Sequence, residues 1–275
     1  MKNKLFLFGD LHSNEENELK FLINTKEFPE LKNLTKNDVI VQLGDFGFIW
    51  YDKNIIKQYK RDLGYLTKIA QKNFTLLVVP GNHENYNIIN NLRVEEKWGG
   101  LVYVFETKAG NIYIAKRGEV YIINGKKIFT FSGAMSNDIS DRIKTGDIGK
   151  RKYVKNIYGK TVLKKVKKSH VNYWEQELPT EAEYKKALYN LSKYNYKVDY
   201  IFTHTCPKDI IPKIIHLTKN SLVKYNDPVA EFLNKINELI YFKEWHFGHF
   251  HTNVQVKTED GLFMCHYKKK PYEIQ

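Results

Sequence analysis

The sequence predicts an α/β fold in which two β-sheets pack face to face with helices outside. Three observations lead there. Apolar strand patterns alternate with helical ones over the first eighty or so residues, a run of β-branched and aromatic segments follows at 102–131, and strand–helix alternation resumes after residue 180.

The elements follow in order. Residues 4–8 read as a short buried strand that ends at Gly9-Asp10, and 15–25 as a helix. Strand 39–43 ends at Gly44-Asp45, helix 54–72 follows, and strand 75–79 ends at Pro80-Gly81-Asn82-His83. Strands at 102–105, 112–115, 120–123 and 128–131 are separated by turn signals such as Asn124-Gly125. Thr180 with Glu183 three residues on forms a capping-box pattern that opens a helix running to about 193. Strand 198–203 ends at His204, helix 227–241 follows, and strand 245–247 ends at Gly248-His249-Phe250-His251. Strands at 254–257 and 262–267 close the chain.

With 275 residues and no repeat, the chain is read as a single domain over 1–275, interrupted by a basic inserted segment at about 142–170. No apolar run approaches the ~20 residues of a membrane span, so no membrane partner is expected. The run Leu5-Phe6-Leu7-Phe8 is too short for a signal-peptide core. Two cysteines, Cys206 and Cys265, make no disulfide framework and are expected as free thiols in a reducing cytoplasm.

Asp10, His12, Asp45, Asn82, His83, His204, His249 and His251 all stand at strand ends. Carboxylate and amide oxygens mixed with imidazole nitrogens suit manganese, iron, zinc or similar divalent ions. In Asp10-x-His12 and His249-x-His251, strand alternation would point both side chains the same way. Neighbouring glycines would permit the tight turns that lift side chains off strand ends.

In this order the motifs resemble the calcineurin-like metallophosphoesterase superfamily, whose signature is Asp-x-His, Gly-Asp, Gly-Asn-His-Asp/Glu, a lone His, then Gly-His-x-His. The resemblance spans residues 9–251. It implies a four-layer α/β/β/α sandwich of two mixed sheets, and two divalent metal ions, manganese ahead of iron, zinc or nickel. Asp10, His12 and His251 would hold one ion, Asn82, His204 and His249 the other, and Asp45 both. A bridging hydroxide would attack phosphorus in line, and His83 would serve the leaving oxygen as a general acid.

Departures bear on the subfamily. Gly44-Asp45-Phe46-Gly47-Phe48-Ile49-Trp50 lacks the second acid and the arginine of serine/threonine protein phosphatases, and Phe48 stands where purple acid phosphatases place a tyrosine ligand. The segments 131–142 and 174–179 resemble those of a loosely characterised bacterial and phage branch. In the first of them, Arg142 is a candidate contact for substrate phosphate. Tyr51 and Tyr86 are candidates for an aromatic wall against a nucleobase. His246 is read as packing, and His170, His216 and His266 show no partner pattern. Trp98, Trp174 and Trp245 are read as core or rim.

The net charge of +13 suits an anionic partner, and its placement is uneven. Residues 142–170 hold eleven Lys or Arg against one acid, Asp147. Apolar residues interleave with these charges, and Tyr158-Gly159-Lys160 could turn a two-stranded ribbon that guides an anion, nucleic acid included.

Three functions remain open on this reading: hydrolysis of phosphate mono- or diesters of a nucleotide or other small molecule, a nuclease or nucleic-acid end-processing activity on the same metals, and a non-catalytic scaffold. Oligomeric state is not legible.

Overall fold

The computed structural model describes residues 3–12, 19–136, 143–155, 160–168, 171–219 and 226–275. In chain order the strands are β1 (Leu5–Phe8), β2 (Val39–Leu43), β3 (Thr75–Val79), β4 (Arg93–Lys97), β5 (Gly100–Thr107), β6 (Gly110–Ala115), β7 (Val120–Ile123), β8 (Lys126–Phe131), β9 (Arg151–Lys155), β10 (Thr161–Lys165), β11 (Tyr200–Thr203), β12 (Glu244–Phe247), β13 (Val254–Lys257), β14 (Leu262–Cys265) and β15 (Tyr272–Glu273). The helices are α1 (Lys20–Ile23), α2 (Ile56–Ala70), α3 (Tyr86–Ile89), α4 (Glu181–Ser192), α5 (Ile211–Thr218) and α6 (Pro228–Asn237).

Two mixed sheets form, in the orders β15-β1-β2-β3-β6-β5-β4 and β13-β14-β12-β11-β8-β7. The centre of each is parallel, and antiparallel strands complete the edges. Side-chain alternation sets the layers. Leu5 and Leu7 of β1 join Val41, Leu77 and Val79 in a core between the sheets, which Tyr121, Ile128 and Phe202 complete from the other side. Phe6 and Phe8 point the opposite way, against Leu66 and Ile69 of α2. The outer face of the second sheet, with Phe129, Ile201 and Trp245, packs on Leu191, Ile214 and Leu233 of α4, α5 and α6. The result is the four-layer α/β/β/α sandwich.

The capping box at α4 forms as its residues predict: Thr180 N–H donates to Glu183 at 2.8 Å and Glu183 N–H to the Thr180 hydroxyl at 3.3 Å. Four elements escape the sequence pattern. β4 reads Arg-Val-Glu-Glu-Lys, a charged edge strand without apolar alternation, and β15 has only two residues. α3 is a single turn, held by the Asn85 side chain, which accepts from the backbone of Asn87 and Ile88. α5 has eight residues. The helix expected at 15–25 is helical at Lys20–Ile23 among the described residues, and the last long strand stops at Cys265 rather than 267.

The basic segment contains the expected ribbon. β9 and β10 pair antiparallel, with Val162 opposite Val154 and Leu163 opposite Tyr153. Val154 and Val162 close a small core with Ile143, Ile148 and Val166, while Tyr153 and Leu163 stand on the other face, 65% and 50% exposed. Its base is tied down by ion pairs from Lys144 to Glu175 and, at 2.7 Å, from Lys152 to Asp147. Of the expected turn, Tyr158 and Gly159 lie outside the described residues, as does Arg142.

Candidate metal centre

The parallel strands of both sheets end at one place, where α/β sheets bind ligands. β1 delivers Asp10 and His12, β2 Asp45, β3 Asn82 and His83, β11 His204, and β12 His249 and His251. All eight residues singled out in the sequence reach this place, but not by strand alternation. Asp10, His12, His249 and His251 lie past their strands in the left-handed region, with φ of 60°, 48°, 67° and 49°, and Asp45 joins them at 51°. Such conformations cost roughly 1–3 kcal/mol each and cluster at functional sites. The i, i+2 spacing therefore works through alternate left-handed turns.

Asp45 sits at the middle, fully buried. Its Oδ2 lies 3.2 Å from His12 Nε2, and its Oδ1 lies 3.3 Å from His204 Nε2 and accepts from the His83 backbone N–H at 2.8 Å. On one side, Asp10 Oδ1 lies 3.0 Å from His12 Nε2, and His12 Nε2 lies 2.7 Å from His251 Nε2. On the other, Asn82 Oδ1 lies 3.0 Å from His204 Nε2, and the His249 ring packs edge-on against His204 at 5.0 Å.

This donor set fits metal ions. Both oxygens of Asp10 are buried and face imidazole nitrogens, Oδ1 that of His12 at 3.0 Å and Oδ2 that of His251 at 3.6 Å. His204 Nδ1–H donates to the Leu43 carbonyl at 3.0 Å, which leaves Nε2 facing the oxygens of Asp45 and Asn82. Lone pairs converging in this way call for a cation. Burial disfavours charge on His204, yet Asp45 outweighs it and raises the imidazole to about 9. A position that attracts a proton so strongly attracts a divalent ion for the same reason. His249 is pushed down to about 3 by burial and by His204, so it offers a neutral lone pair.

Neighbouring groups brace the cluster. Buried Glu84 accepts from the backbone N–H of Gly81 at 2.6 Å and of Asp45 and Gly47 at 3.1 Å, lashing two ligand loops together. Burial and Asp45 raise its carboxyl to about 7, against the pull of those N–H groups. Gly44 has φ +79° and no room for a Cβ beside His204, and a Cβ on Gly81 would strike the Asp45 carboxylate.

Asn82 is oriented from behind. Its Nδ2 donates to Ser136 Oγ at 3.3 Å, and Ser136 donates through Oγ and N to buried Glu177 at 2.8 and 2.9 Å. This selects the amide orientation that turns Oδ1 toward His204. If Asn82 holds a metal ion, Ser136→Ala is expected to weaken binding of a divalent ion such as manganese by about 10–100-fold, the usual scale for an outer partner of a ligand. Calorimetric titration beside a melting curve checks it; unchanged affinity would remove this positioning role.

His83 is half-buried and fits between two rings, edge-on to His12 at 5.0 Å and parallel to Trp50 at 5.8 Å. Burial lowers its basicity, Asp45 opposes, and His12 and His204 reinforce the fall. His83, His12 and Asp45 also bring donor atoms within 4.8 Å of one another.

Several expectations need correction. Tyr86 is no wall of the site: it is buried beneath it, with its hydroxyl on the Gly81 carbonyl at 2.8 Å. The aromatic group beside His83 is Trp50, which sequence reasoning passed over because one tryptophan after Gly-Asp carries no periodic signal. His266 has a partner after all: it bonds buried His246 at 3.0 Å, and His246 bonds Glu244 at 3.0 Å, so His246 is a hydrogen-bonded core histidine. Cys206 and Cys265, by contrast, are free thiols as expected, and both are buried.

Residues 4–208 match the family model described as calcineurin-like phosphoesterase. Among functionally curated proteins, none matches the chain. Similar solved structures include GAP50, described as the anchor in the inner membrane complex of Plasmodium, at 10% identity and a TM-score of 0.44, covering 96% of this chain and 71% of that one. Another is the phosphopantetheinyl hydrolase PptH from Mycobacterium tuberculosis, at 11% identity and a TM-score of 0.45, covering 99% of this chain and 96% of that one.

Proposed function

We propose, since the chain belongs to the calcineurin-like phosphoesterase family, that this metallophosphoesterase works through two divalent ions on the phosphate mono- or diesters of a nucleotide or another small molecule. The observation that carries the reading is the division of the Asp45 carboxylate, with one oxygen toward His12 and the other toward His204. Asp10, His12 and His251 would hold one ion, Asn82, His204 and His249 the other, and Asp45 both. Bound there, the ions would supply Lewis acidity and lower the pKa of water. The chain's own residues do the rest. His83, held between His12 and Trp50, hands a proton to the departing oxygen.

Manganese is the first metal to test. Protein reconstituted with Mn²⁺, Fe²⁺, Zn²⁺ or Ni²⁺ should hydrolyse p-nitrophenyl phosphate, its bis ester or a nucleotide ester, and chelation should abolish the activity. No hydrolysis of any ester by fully loaded protein would end this reading.

One observation favours a second reading, a nuclease or end-processing enzyme. Arg151 and Lys165 stand directly opposite each other on the ribbon, and neither has an acidic partner among the described residues. Like charges facing across strands repel, and a polyanion would relieve them. Replacing residues 151–165 with a short Gly/Ser linker should then spare a small ester, weaken binding of an oligonucleotide and flatten its salt dependence. An identical response of large and small substrates would reject it.

A further inference from the structure

Beside Trp50, a cavity of about 290 Å³ opens between the 50–55 loop, helix α3 and the base of the basic ribbon. Nothing in the roles above uses it. Trp50 connects the two regions: its ring lies parallel to His83 at 5.8 Å and meets Trp174 edge-on at 5.2 Å. Trp174 is buried, and both indoles line the cavity together with Ile88. Core aromatics pack without voids of this size, whereas pockets of about 300 Å³ and more, apolar with a few polar groups, are what small ligands occupy.

The polar groups at its edge are of both kinds: the Asp52 carboxylate accepts, while Asn87, Thr145 and Lys168 offer donors. Asn87 accepts a long 3.4 Å bond from Gln176 on Oδ1, which leaves its Nδ2 without a partner among the described residues. The hydroxyl of exposed Thr145 and the ammonium of Lys168 are likewise uncommitted there. Apolar indole walls with donors and a carboxylate acceptor at the rim match a planar ring that carries both carbonyl or ring-nitrogen acceptors and N–H donors. An aliphatic chain would leave the donors unmet, and a bare sugar would leave the indoles uncovered.

We propose that this cavity is a subsite for a nucleobase, joined to His83 through the shared neighbour Trp50, so that the phosphate ester cleaved at the metal centre is one whose organic part carries such a base. This deepens the small-molecule reading and rests on it for the position of the phosphate. It also gives the inserted segment a role in specificity, because Thr145, Ile148 and Lys168 build one wall.

Nucleosides carry no phosphate, so their binding is independent of any turnover. Calorimetric titration of the manganese-loaded protein with adenosine, uridine and ribose should show at least one nucleoside binding tenfold or more tighter than ribose. Thr145→Trp, an exposed position from which an indole would fill the cavity, should erase that difference while melting temperature and manganese content stay unchanged. Asn87→Ala should weaken the nucleoside at least threefold. Equal affinity for ribose and nucleosides would overturn the proposal, and so would full nucleoside affinity in folded Thr145→Trp. A chain that binds nucleosides as described but cleaves no phosphate ester keeps the subsite and loses the esterase reading. One that cleaves esters without preferring nucleosides loses only the subsite.

Discussion

On the proposed reading, His83→Ala is expected to lower turnover by about 10²–10⁴-fold, the scale of a lost general acid, and to leave metal content unchanged. The effect depends on the leaving group: an ester of a poorly acidic alcohol needs its oxygen protonated and suffers the full loss, while one of a very acidic phenol needs little and suffers least. The geometry makes this a demanding test. His83 comes close enough to His12 and Asp45 to serve as a ligand, but its backbone N–H also donates to Asp45 Oδ1, and its ring lies flat along Trp50. That packing aims the imidazole independently of any ion. Elemental analysis beside a leaving-group series separates the alternatives. A variant that loses a metal makes His83 a ligand and removes the acid role.

On the two-ion reading, Asp45→Asn is expected to empty both proposed metal positions together, with affinity at each falling by more than about 100-fold, beyond the scale for an outer partner. The substitution is nearly isosteric and asparagine tolerates the left-handed backbone that Asp45 adopts at φ 51°, so the backbone stays and one negative charge goes. That charge faces His12 on one oxygen and His204 on the other. His204 then also loses the anion that raises its basicity. If Asp45 holds both ions of the proposed pair, the two would depart together. Retention of one ion at full affinity would show that Asp45 serves a single position and would dismantle the two-metal arrangement.

Glu84 and Glu177 show how far sequence reading goes. Both occur in segments that the sequence singles out, yet neither pattern assigns them a task. Glu84 proves to be a buried acceptor for three backbone N–H groups of two ligand loops. Glu177, forty-one residues from Ser136, completes the chain of hydrogen bonds behind Asn82. Backbone N–H groups are present in every residue but proline, so no residue type announces which of them a buried carboxylate will meet.

By itself the sequence determined the strands that end in ligand-type residues, the capped helix after Thr180, the basic ribbon and the membership of all eight residues in one site. Each is written in local chemistry: side-chain alternation sorts Leu5 and Leu7 from Phe6 and Phe8, a hydroxyl and a carboxylate three apart cap a helix, and glycine marks the turns. Tertiary structure alone decided the left-handed turns that aim Asp10, His12, His249 and His251, the division of the Asp45 oxygens between two imidazoles, the pairing of His246 with His266, and the cavity between Trp50 and the ribbon's base. These depend on approaches between segments tens to hundreds of residues apart. They arise only when two sheets pack and bring their strand ends to one edge, because local propensity acts over a few residues and carries no distance between remote ones.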